Sequence, residues 1–120
     1  MRYPAARRLR AASEFARVRE QGTSFPGKFV VVNVLAAEPG TPWRSGLITS
    51  RKVGNAVRRN LVRRRLREII RAAPLLDGYW IVTIARWRAT EASFIELRDD
   101  WMRAANRARL LQRPPSVVTA

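Results

Sequence analysis

Between Arg51 and Arg71 the chain reads RKVGNAVRRNLVRRRLREIIR, which sets nine of its 24 lysines and arginines beside a single acid, Glu68. At 3.6 residues per turn Val62, Leu66, Ile69, Ile70 and Ala73 share one side of a helix, while Asn60, Arg63, Arg64, Arg67 and Arg71 share the other. Arg58 and Arg65 take a flank, and Arg59 sits at the edge of the apolar stripe. Such a helix has an apolar floor that must be covered and a guanidinium roof that must stay in water. It can only lie on the surface of a core that other segments build.

Those segments have enough material. A chain of 120 residues with 47% hydrophobic residues supports one domain with a real core. The formal charge of +15, carried almost wholly by arginine, points to a polyphosphate partner, because guanidinium forks match phosphate oxygens and stay charged at physiological pH. Nucleic acid is the leading partner and an anionic membrane the weaker one. With no Cys and no His, zinc fingers, thiol nucleophiles, the Ser-His-Asp triad and imidazole acid-base chemistry are excluded. The Arg-rich amino end is not followed by an apolar run of signal-peptide length, and no stretch has membrane-span length, so a cytoplasmic protein is expected.

In chain order, residues 1–12 read as a loosely held basic arm. Ser13 is a plausible N-cap, with Glu14 in the first turn of a short helix that Gly22 stops. KFVVVNVLAA (28–37) and WRSGLITSR (43–51) are strands separated by the EPGTP loop and read as an antiparallel hairpin. Asn55 caps the basic helix, which stops before Pro74. YWIVTIAR (79–86) is apolar on both faces, as a central strand is. Thr90 or Ser93 can cap a last helix, Ser93 and Glu96 having capping-box form, and its Phe94, Leu97, Trp101, Ala105 and Ala108 face the sheet. Residues 1–112 thus form a single nucleic-acid-binding domain, and 113–120 a flexible tail. The fold class is α+β. Trp43, Trp80, Trp87 and Trp101 are read mainly as core or strand-edge packing.

The string Lys52-Val53-Gly54-Asn55-Ala56-Val57, followed by Arg59-Asn60, Arg63-Arg64 and Arg67, resembles the Arg-Asn-Arg signature of the bacterial ribonuclease P protein component. Arg10 to Phe15, Gly22-Thr23-Ser24, Arg44-x-Gly46-Leu47 and Ile84-Ala85-Arg86 agree with it, so the resemblance spans about residues 7–111. It implies a two-layer α-β sandwich with three helices and a small, mostly antiparallel sheet of about four strands, the extra strand near Thr23 to Phe25. It also implies a left-handed crossover through the basic helix, where general chirality rules alone favour a right-handed one.

The function that the resemblance implies is that of a ribonucleoprotein endoribonuclease that removes the 5′ leader of precursor tRNA. The RNA subunit carries the chemistry with Mg²⁺ that it mainly binds itself, and the protein holds the catalytic RNA and the leader. Arg51, Lys52, Asn55, Arg59, Asn60, Arg63, Arg64 and Arg67 are then the residues for the catalytic RNA. A cleft between the first helix and the sheet would take the unpaired leader through Phe15 and Phe29, with Arg19 and Val32 at positions where the family often has aromatics; Phe15 reads equally as core. Gly54 is either a turn with positive φ or a close approach to RNA.

The acids fit that division. A protein nuclease clusters carboxylates around metal ions, whereas the nine acids here are scattered. The one adjacent pair, Asp99 and Asp100, reads as a solvated face with Asp99 paired to Arg103. No catalytic residue and no protein-held metal are expected. The other classes are a structural RNA-binding protein of ribosomal type, a DNA-binding regulator and an anionic-membrane binder. The Gly-Asn-Ala-Val-x-Arg-Asn context, the absence of helix-turn-helix spacing and the core's need for the apolar stripe separate them.

Overall fold

The computed structural model describes residues 5–112. Strands β1 (Thr23–Pro26), β2 (Val30–Ala36), β3 (Arg44–Ile48) and β4 (Tyr79–Ala85) form one sheet in the order β1-β2-β4-β3; the helices are α1 (Ala12–Gln21), α2 (Ala56–Ala72) and α3 (Phe94–Arg107). β1 and β4 both pair antiparallel to β2, and β3 pairs parallel to β4. The class is α+β, with the short fourth strand at Thr23 that the resemblance implied.

The expected hairpin of β2 with β3 does not form, because β4 lies between them. Ile81, Val82 and Thr83 are consecutive and fully buried, so β4 needs cover on both faces and a neighbour at both edges. The connection 37–43 crosses the end of β4 instead of turning tightly: Ala37 N–H donates to the Gly78 carbonyl (2.8 Å) and Gly78 N–H to the Thr41 carbonyl (2.7 Å).

Strand alternation separates two cores. Val30, Val32, Val34, Ile81 and Ala85 pack in the larger one, with Val62, Leu66, Ile69 and Ile70 of α2 and Leu97, Trp101, Ala104 and Ala105 of α3. Val82, Leu35, Trp80 and Ile84 face the other way, toward Leu9 and the Phe15 and Val18 side chains of α1. Thr83 is tolerated in the first core because its hydroxyl accepts a 3.0 Å hydrogen bond from the Trp101 indole N–H.

The caps at Asn55 and Ser93 are as read: Asn55 Oδ1 accepts from Arg58 N–H (3.0 Å), and Ser93 with Glu96 forms the reciprocal box. α1 differs. It begins after Ala11, not Ser13, because Glu14 does the capping from inside the first turn: its Oε1 accepts the N–H groups of Arg10 (2.8 Å) and Ala11 (3.0 Å), and Arg44 Nη1 donates to its Oε2 (2.6 Å). These backbone donors, with Arg44, lower the Glu14 pKa from 4.5 to about 2. The carboxylate therefore contributes stability that is complete above pH 4.5 and is lost as pH falls toward about 2. Acid melts of the wild type and Glu14→Gln should differ at neutral pH and converge through that window; a constant difference would mean the charge is not what matters.

The amino-terminal arm is held in place over Arg7 to Leu9. Leu9 is buried, its N–H donates to the Ser45 carbonyl (3.0 Å), and Arg7 donates to Asp77 (3.1 Å) and stacks on Trp43 (4.6 Å). Asp100 corrects the reading of a solvated acidic pair. It is 3% exposed, and its carboxylate accepts the N–H groups of Lys28 (2.8 Å), Phe29 (2.8 Å) and Val30 (3.1 Å). Arg103 stands 3.7 Å from Asp100, and Asp99 pairs with Arg98 (3.3 Å) instead. Residues 113–120, read as a tail, and 1–4 of the arm lie outside the described residues.

Candidate nucleic-acid interface

The apolar floor of α2 anchors the interface: Val62, Leu66, Ile69 and Ile70 are buried, which leaves the guanidinium side no freedom to turn inward. Asn60, Arg64 and Arg71 are exposed, and Arg59, Arg63 and Arg67 half-buried. The chain enters α2 through a 3-10 turn, Arg51–Val53, pinned by buried Val53 and by the Ser50 hydroxyl, which accepts from Lys52 N–H (3.3 Å). Gly54 has φ of +143°, so the turn reading is sufficient there. Arg51 and Lys52 are exposed at this entrance.

Among the described residues none of the nine cations between Arg51 and Arg71 forms an ion pair. Two of them do structural work. Arg65 Nη1 donates to the Ala92 carbonyl (3.0 Å), tying α2 to the turn before α3, and Arg63 Nη1 donates to Asn60 Oδ1 (3.4 Å). Asn55 spends its side-chain oxygen on the cap, leaving its NH₂ to face a ligand.

Arg63 and Arg67 line a notch of about 210 Å³ with Arg8, Phe15, Ser45 and Gly46. Gly46 is required here by close approach: a Cβ would stand 2.3 Å from the Phe15 ring. Arg8 Nε and Ser45 Oγ are buried without a hydrogen-bond partner. Three guanidiniums, a hydroxyl and the flank of an aromatic ring thus meet around edge strand β3, a donor set that suits a phosphodiester with its base beside it. Of the leader residues named from the sequence, only Phe15 belongs to this surface.

Phe29 and Val32 do not join it. Both are buried in the core under α2 and α3, on the opposite side of the sheet from Phe15. Along β2 the α1 face carries Val31, Asn33 and Leu35, so Val32 lies one residue off that face, whereas Phe29 precedes the strand and packs with Val30 in the larger core. Arg19 is exposed on α1. Arg17, one turn face away, stacks on Trp80 from 5.5 Å, and Arg44 does so from 5.3 Å, beside an open recess of about 460 Å³. Arg8, Ser45, Asn33 and Trp80 were missed by sequence reasoning. Strand alternation could have found Asn33; the others meet only through the fold. Trp43 and Trp101 are core, as read, whereas Trp87 is 61% exposed.

Known proteins agree with this architecture. A family profile described as Ribonuclease P matches residues 3–109. The "Ribonuclease P protein component" of Symbiobacterium thermophilum is 44% identical over 110 residues, covering 90% of this chain and 96% of that protein. That of Chloroflexus aurantiacus is 39% identical over 112 residues, covering 91% and 82%. Among solved structures, the Staphylococcus aureus RNase P protein superposes with a TM-score of 0.81 at 26% identity, over 89% of this chain and 99% of that one. The Thermotoga maritima RNase P protein gives 0.75 at 29% identity, over 83% and 96%. With its profile, its relatives and its fold in agreement, the chain belongs to the ribonuclease P protein family.

Proposed function

We propose that this protein is the protein subunit of a ribonuclease P ribonucleoprotein, binding the catalytic RNA and the 5′ leader of precursor tRNA while the RNA subunit cleaves. The observation that carries the reading is the row of cations on α2, none of them neutralised within the fold among the described residues. Like charges at i and i+4 cost about 0.2 to 0.5 kcal/mol per pair, and a polyanion relieves that cost.

Arg51, Lys52, Arg59, Asn60, Arg63, Arg64 and Arg67, with the Asn55 amide, hold phosphates of the catalytic RNA. The leader lies against Phe15 and the α1 side of the sheet. The carboxylates support assigning the chemistry and its Mg²⁺ to the RNA: Glu14, Asp77, Glu96 and Asp100 each accept backbone N–H groups that hold the scaffold together. The same proposal places the protein in the cytoplasm. Among the described residues no helix is long and apolar enough to cross a membrane.

The test is cleavage of a 5′-leader precursor tRNA at low Mg²⁺ by the cognate catalytic RNA, with and without this protein, beside a protein-only control. Cleavage with both components, and none with protein alone, is the expected result. A protein that neither binds nor stimulates that RNA would instead be a structural RNA-binding protein.

A further inference from the structure

Trp87 is the largest side chain that the fold leaves in water, 61% exposed. It opens a 3-10 turn, Trp87–Glu91, directly after β4. The turn is fixed: Ala89 is buried, its N–H donates to the Arg86 carbonyl (2.9 Å), and Arg86 N–H donates to the Phe29 carbonyl (2.8 Å). The indole is therefore carried on anchored backbone while adding little to the core, which is the behaviour of a contact residue.

Its surroundings indicate what it contacts. An open recess of about 650 Å³ beside it is lined by Lys28, Lys52, Ile84, Arg86, Trp87 and Arg88, with no carboxylate in the lining. The Arg88 guanidinium lies 5.6 Å from the indole centroid and shares an exposed 3.5 Å pair with Glu91, whereas Lys52 and Arg86 form no ion pair among the described residues. Ile84 also packs in the Phe15 cluster, so the recess continues from the α1 face of the sheet, and Lys52 belongs to the turn that enters α2. The recess thus touches both the α1 side of the sheet, through Ile84, and the entrance to α2, through Lys52.

An exposed aromatic face, an aliphatic wall and a ring of cations together match one ligand chemistry, an unpaired nucleotide whose base stacks while its phosphates are neutralised. We infer that Trp87 is a stacking platform for one unpaired base of an RNA strand, with Lys52, Arg86 and Arg88 holding the flanking phosphates. The inference rests on the RNA-binding reading and deepens it, adding a specific aromatic position at the end of the sheet opposite the loop 37–43. Purines, with the larger ring, stack there more strongly than pyrimidines.

The experiment is equilibrium binding of the full chain to a short oligoadenylate and to a ribose-phosphate strand of the same length lacking bases, each across a salt series. The wild type should prefer the oligoadenylate by about 5- to 100-fold. Trp87→Ala should shrink that preference with an unchanged salt slope, and Trp87→Phe should keep most of it. Lys52→Ala should keep the preference and flatten the slope by about 0.7 log units per log unit of salt. The inference is overturned if the wild type shows no preference, if Trp87→Ala leaves it intact, or if that variant weakens both strands equally. Loss of binding to phosphatidylserine vesicles by Trp87→Ala, with the base preference intact, would assign the indole to a membrane surface and likewise overturn it. Failure here is separable from failure of the ribonuclease P reading, because the cleavage assay reads assembly through α2 and this assay reads one base on one indole.

Discussion

Replacing Arg63 and Arg67 together by alanine is expected to weaken binding of the catalytic RNA by about 100-fold, taking each charge-assisted contact as about tenfold. The two lie one turn apart on α2 and converge on one notch with Arg8 and Ser45, so they address the same stretch of backbone. The loss should carry an electrostatic signature: two phosphate contacts fewer flatten the dependence of log K on log salt by roughly 1.4 to 1.8. The free double variant should melt close to the wild type, because the substitutions remove an i, i+4 repulsion that offsets the one exposed 3.4 Å Arg63–Asn60 hydrogen bond, and they break no ion pair. Arg65→Ala is the informative control. Arg65 donates to the Ala92 carbonyl, so its loss should lower the melting temperature and spare the salt slope. Weakened RNA binding with an unchanged slope in the double variant would show that its effect is not phosphate contact.

Asp100→Ala is expected to cost about 3 kcal/mol or more of folding stability, because it strips a charged acceptor from three buried or half-buried N–H groups at once. Those of Lys28, Phe29 and Val30 lead into β2 and have no strand partner in β1, so nothing else among the described residues replaces the carboxylate. For a domain of this size the penalty corresponds to a fall of roughly 10 to 15 °C in melting temperature. In urea it should move the midpoint with little change in slope, and Asp100→Asn, which keeps the shape and one oxygen, should fall between. A midpoint unchanged in Asp100→Ala would mean that the turn satisfies its own donors in solution. The neighbouring Arg103 is largely exposed at 3.7 Å, so Arg103→Ala should cost far less.

What could be read from the sequence was whatever depends on residues within a turn or two of one another. The α2 stripe of Val62, Leu66, Ile69 and Ile70 against Arg63, Arg64 and Arg67, the caps at Asn55 and Ser93, and a strand at 79–85 needing cover on both faces all follow from local periodicity and capping. The candidate RNA residues of α2 were legible for the same reason: once the apolar floor faces inward, the arginines must face out.

The sequence by itself therefore determined the elements, the basic helix and the family signature carried on it. Only the tertiary structure decided which strands are neighbours and what each face meets. β4 enters between β2 and β3 from far along the chain, and pairing of distant strands leaves no local trace. The side on which Val32 falls turns on a register of one residue, and a slip of one exchanges the core under α2 and α3 for the α1 face of the sheet. Asp100 is buried because a turn 70 to 72 residues away brings three N–H groups to it, and Trp87 is exposed because the turn that carries it is held from beneath by Ala89. Burial of a single side chain depends on what long-range packing brings against it, and that is the information a window of neighbouring residues does not contain.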